Sequence, residues 1–135
     1  MAEGLISGLA LTDDEASIER VDDATAPILA TLDEVIAQGD PSEQIVAAYT
    51  KGDLLFGLQE RLREAVPPIT ARTSLRTAKA IEQRHRALEP KLARWGRDGT
   101  AAFLRVKETA RANPKLASGN PVIQYMIRDA ERRTG

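Results

Sequence analysis

The chain has 135 residues, 42% hydrophobic and 29% charged, with no cysteine and a formal net charge of −1. That length suits one domain with a self-sufficient core, and the absence of cysteine excludes disulfides, thiolate metal sites and cysteine nucleophiles. The near-neutral total hides a sorted charge: Met1 to Glu60 hold thirteen acidic and two basic residues, a net of −11, whereas Arg61 to Gly135 hold seven acidic and seventeen basic residues, a net of +10.

Residues 1–11 read as a flexible arm. They lack the basic start of a signal peptide, and no apolar run reaches the ~20 residues of a membrane span. A cytoplasmic location is the expectation, and the alanine and arginine bias resembles that of a GC-rich bacterial or phage genome. Thr12-Asp13-Asp14-Glu15 has the form of a capping box. Helix 1 is expected from about Asp13 to Ala37, with Ile18, Val21, Ile28, Leu29, Leu32 and Ile36 at helical spacing. Pro27 removes a backbone donor inside it, so the segment is either kinked or split.

Gln38-Gly39 ends this element, and Asp40-Pro41-Ser42-Glu43 starts the next with proline at the first helical position. Helix 2 runs to about Val66, with Ile45, Ala48, Tyr49, Leu55, Phe56, Leu62 and Val66 on one face. Gly52 and Gly57 each cost ~1 kcal/mol relative to alanine and mark either a break or a close helix approach. Pro67-Pro68 is a stop signal next to the charge switch.

Helix 3 is expected from about Thr70 to Trp95. One face holds Leu75, Ala78, Ile81, His85, Leu88, Leu92 and Trp95; the other holds Arg72, Arg76, Lys79, Gln83, Arg86 and Arg94. Gly96-Arg97-Asp98-Gly99 reads as a loop, followed by helix 4 to about Ala112. The stretch Asn113 to Gly119 reads as a second loop, and Asn120-Pro121 opens a short helix 5. The result is an all-α antiparallel bundle of about five amphipathic helices. It forms one domain, 1–135, with an acidic hairpin over 12–66 and a basic segment over 69–133.

The candidate chemistry is sparse. Glu82 and His85 form an E-x-x-H fragment of the kind used in pairs by carboxylate metal sites. One pair flanked by Arg84 and Arg86 is more often a core or boundary histidine, so no metal or other cofactor is expected, and a metal or small-ligand site around Glu82 and His85 stands as an alternative. No serine lies in a nucleophile elbow and no glycine-rich phosphate loop is present, so no enzyme activity is expected. The basic residues carry the functional expectation: Arg72, Arg76, Lys79, Arg86 and Arg94 on helix 3, with Arg128, Arg132 and Arg133 near the C-terminus. They suit a protein partner or a second copy of the chain, met through charge-complementary faces. Nucleic acid is the alternative, with Gln124, Tyr125 and the C-terminal arginines as readers, although the acidic half would repel a duplex.

Overall fold

A computed structural model of the chain describes residues 15–66 and 69–135. The N-terminal arm, the Thr12 capping box and Pro67-Pro68 lie outside the described residues. Within them the protein is all-helical: α1 spans Glu15–Gln38, α2 Pro41–Ala65, α3 Leu75–Ala112 and α4 Pro121–Thr134. Four helices stand where the sequence suggested about five, because the expected helices 3 and 4 are one 38-residue helix.

The starts of α2, α3 and α4 each have a visible chemical cause. Asp40 caps α2 by accepting from the Glu43 backbone N–H at 2.9 Å, while the Glu43 carboxylate accepts from the Asp40 N–H at 3.2 Å. Ser74 caps α3 through the Thr77 N–H at 3.2 Å, which moves the helix start from residue 70 to 75. The Asn120 carbonyl oxygen of its side chain caps α4 by accepting from Val122 and Ile123. Between α3 and α4, a run of turns from Asn113 to Asn120 reverses the chain, and Gly119 takes a φ of +77° that favours glycine.

Pro27 and Pro90 sit inside α1 and α3 without ending them. Each proline ring removes the donor to the carbonyl four residues earlier. Pro27 and Asp23 are exposed, as are Pro90 and Arg86, so water can reach the freed carbonyls.

The helix α2 lies at the centre and contacts the other three; α3 is its most extensive neighbour. Glycines set how closely α2 and α3 approach. A Cβ on Gly52 would lie 2.8 Å from the Phe103 ring, one on Gly96 2.5 Å from Gln59 Nε2, and one on Gly99 2.9 Å from the Phe56 ring. Gln59, buried in the seam, donates to the Leu92 carbonyl at 2.8 Å. Gly96 and Gly99 are therefore a packing surface within α3, and the loop expected there does not form.

Two apolar clusters fill the interior. One joins Ile18 and Val21 of α1, Leu55, Leu58 and Leu62 of α2, and Ile81, Leu88, Leu92 and Trp95 of α3. The other joins Ile45 and Ala48 of α2, Phe103 and Val106 of α3, and Ile123 and Ala130 of α4. Among the described residues no helix is long and apolar enough to cross a membrane.

The glycine contacts predict opposite outcomes at two neighbouring sites. Gly52→Ala should destabilise the fold by about 1–3 kcal/mol, because the new methyl overlaps the Phe103 ring. Gly57→Ala, which meets nothing within 4 Å, should stabilise it by about 0.5–1 kcal/mol through helix propensity. Urea unfolding of the two variants measures both; equal shifts would remove the close-approach account.

Candidate functional site

The register of α2 against α3 decides which charges are left facing solvent. Gly52 meets Phe103, Gly99 meets Leu55 and Phe56, and Gln59 reaches Leu92, so the two helices run antiparallel. Continued along both helices, this pairing puts Ala65, the last residue of α2, opposite about residue 90 of α3. The first ~14 residues of α3, roughly 20 Å at 1.5 Å per residue, project past that end. Burial shows the same boundary. Of residues 75–87 only Ile81 is buried, whereas Leu92, Trp95, Gly99, Ala102, Phe103, Val106 and Thr109 recur along the rest of the helix.

Four of the candidate cations lie on or beside this projection. Arg72 is exposed in the turn that precedes α3, and Arg76, Lys79 and Arg86 are exposed along it. Among the described residues no acidic side chain lies within ion-pair distance of these four. At 100° per residue, Lys79 and Arg86 fall almost opposite Ile81 and Leu88, the two buried residues at this end.

The other candidates do different work. Arg94 bonds both oxygens of Asp22 on α1, at 2.8 and 3.0 Å, and Lys91 bonds the same carboxylate. Burial opposes ionisation of Asp22, but the hydrogen bonds from Lys91 and Arg94 outweigh it and hold the carboxyl below its ordinary range. Arg133 pairs with Asp53 of α2 and with Asp129 of α4, both at 3.1 Å, and stacks its guanidinium 5.0 Å from the Phe103 ring centre. Arg132 also pairs with Asp129. Arg128 is exposed on the outer side of α4.

Asp129 is a site the sequence reading did not find. Only 6% exposed, it accepts from the Tyr49 hydroxyl at 2.6 Å and from Arg132 at 2.5 Å. The Tyr49 bond, with help from Arg132 and Arg133, holds its carboxyl below the ordinary range despite burial. In turn, burial and Asp129 push the Tyr49 phenol well above its usual value. This group fastens α4 to α2. Its one sequence signal is an aspartate in the middle of an otherwise apolar helical face.

Glu82 and His85 are both exposed on the α3 projection, so His85 is not on a buried face as its spacing suggested. Among the described residues no group of three or more histidines and carboxylates is placed to hold a metal ion. Two of the proposed nucleic-acid readers are engaged within the chain: Gln124 donates to the Ala117 carbonyl at 2.7 Å, and Tyr125 packs edge-on against Tyr49. An open groove of about 500 Å³ follows α2 beyond the end of α4, lined by Phe56, Gly57, Glu60, Arg63 and the paired Asp53 and Arg133.

Tyr49→Phe should cost about 1–2 kcal/mol at pH 7, the loss of a hydrogen bond to a buried carboxylate. Asp129 has a lower pKa folded than unfolded, so its contribution is present above the unfolded value of ~3.9 and fades as pH falls through the folded one. The gap between wild type and Tyr49→Phe in urea melts should therefore shrink from pH 7 to pH 3. A gap that stays constant would show that Asp129 is not held ionised by this bond. The chain matches no family model, no curated protein and no solved structure.

Proposed function

We propose that the chain is a non-enzymatic helical interaction module that grips an acidic partner surface with the projecting basic end of α3. The observation that carries this reading is the placement of cations where helix electrostatics disfavours them. The N-terminus of a helix behaves as roughly half a positive charge, and a cation in its first turn costs about 0.3–1 kcal/mol, an effect that fades beyond that turn. Arg76 is the second residue of α3, Lys79 the fifth, and the first turn holds no acid to offset them. Arg72 adds a third positive charge just before the cap.

Other helix ends carry charges that suit the dipole, with a capping box at α2 and arginines in the last turn of α4. A departure from those rules is expected where a surface serves a function and the cost is met by binding. An acidic partner would feel the side-chain charges and the helix dipole together. Among the described residues, Asp22, Asp53 and Asp129 meet C-terminal cations inside the fold. The acidic half thus reaches Lys91, Arg94 and Arg133, and among the described residues Arg72, Arg76, Lys79 and Arg86 form no such pair. His85, the single histidine, stands exposed on that same projection rather than in a cleft.

The double variant Arg76→Glu/Lys79→Glu separates a binding role from a structural one. Its stability should hold or rise, by about 0.3–1 kcal/mol and mainly through Arg76, while affinity for poly-glutamate falls at least about tenfold, the effect of losing a short-range charge contact worth ~1.4 kcal/mol. Wild-type binding should weaken steadily with added salt. Wild-type protein that fails to retain any polyanion at low salt would sink the reading.

A further inference from the structure

Resting on that reading, we infer that the partner presents an acidic amphipathic helix, with an apolar stripe that covers Ile69 and Leu75, rather than a nucleic-acid backbone. Leu75 is 73% exposed, more than any other large hydrophobic residue described, and Ile69 is 47% exposed. Leu75 opens α3, between Arg72 and Arg76 in the sequence and one turn before Lys79, and Ile69 lies six residues earlier in the connection from α2. A surface built only to meet phosphates has no use for a bare leucine, because phosphate recognition relies on cations, polar side chains and backbone N–H groups. A uniformly charged acidic segment would leave the same leucine in water.

The tip is ordered, which makes its apolar groups usable. The Thr70 N–H donates to the Thr73 hydroxyl at 2.9 Å, and the Thr73 N–H donates to the Thr70 carbonyl at 3.1 Å. The Ser74 hydroxyl donates to Thr77 Oγ1 at 2.8 Å and accepts from the Thr77 N–H. These bonds fix the chain from Ile69 into α3, so less conformational entropy is lost when a partner docks.

Spacing along α3 suggests the shape of that partner. Leu75, Lys79, Glu82 and Arg86 follow at intervals of four, three and four residues, which places them in one row on the solvent side. The row is about 17 Å long at 1.5 Å per residue, with an apolar anchor at one end and, beyond it, Lys79 and Arg86 on either side of Glu82. A helix laid along the row can set leucines on Leu75 and Ile69 and carboxylates on Lys79 and Arg86, the helix-against-helix mode of peptide recognition. A second copy of this projection is disfavoured as the occupant, because residues 72–89 carry five cations to two acids and two copies would meet with like net charge.

Fluorescence anisotropy with three labelled probes tests this. The first is a 20-residue acidic peptide with leucines at i, i+3, i+4 and i+7; the second has the same composition with its leucines dispersed; the third is a 20-base-pair DNA duplex. Wild type should bind the first about tenfold more tightly than the other two, the gain from burying one leucine-sized side chain. Ile69→Ser/Leu75→Ser should erase that preference while still binding the dispersed peptide, and Arg76→Glu/Lys79→Glu should weaken all three. Circular dichroism checks that both variants are folded, and Leu75→Ala is the milder substitute. Equal binding of the two peptides by wild type overturns the amphipathic partner and leaves the basic-tip reading standing; tighter binding of the duplex overturns it in favour of nucleic acid. Failure of wild type to bind any probe at low salt overturns the basic-tip reading as well.

Discussion

The close approach of α2 and α3 at three glycines is the constraint on which the remaining architecture depends. The Phe103 ring fills the space a side chain at Gly52 would need, the Gln59 amide lies against Gly96, and Phe56 and Leu55 lie against Gly99. Each glycine costs the helix ~1 kcal/mol in propensity, which the packing must offset. These contacts also fix the sliding position of one helix on the other, since a shift by one turn would drive rings into backbone. Helix α2 has 25 residues and α3 has 38. In this register the end of α3 lies near the start of α2, so the additional length of α3 emerges at its N-terminal end.

That consequence could not be read from periodicity. A helical wheel identifies residues that share a face, and it placed Ile81, Leu88, Leu92 and Trp95 correctly in the interior. It also placed Leu75 and His85 there, and both are exposed. The pattern says nothing about where the neighbouring helix stops. Gly96-Arg97-Asp98-Gly99 was misleading for a related reason: two glycines around a polar pair carry the composition of a loop, and only the residues opposite them reveal that they are contacts. Local chemistry was more legible. The Asp40–Glu43 box and the Asn120-Pro121 start are decided by residues within one turn, and both are present.

The charge pattern divides along the same geometry. Two acidic residues of α1 and α2 take up cations of α3 and α4: Asp22 holds Lys91 and Arg94, and Asp53 holds Arg133. These partly exposed pairs contribute only about 0–1 kcal/mol each, so they align helices that the apolar clusters already hold. Asp129 differs because it is buried. Its carboxylate is satisfied by Tyr49, Arg132 and Arg133 together, and removing any one leaves the others less well compensated.

The sorted charge of the sequence is thus neither a simple dipole between two halves nor fully neutralised within the fold. Neutralisation requires an acid opposite each base, and that in turn requires a helix alongside. The segment Leu75 to Arg86 lies where α3 has outrun α2, so the geometry that deprives Leu75 of apolar cover also leaves Arg76 and Lys79 without an ion pair to a neighbouring helix among the described residues. Exposed leucine and uncompensated cations are two results of one overhang. A partner that supplied both an apolar stripe and carboxylates would occupy, for that length, the position of the helix that α3 lacks.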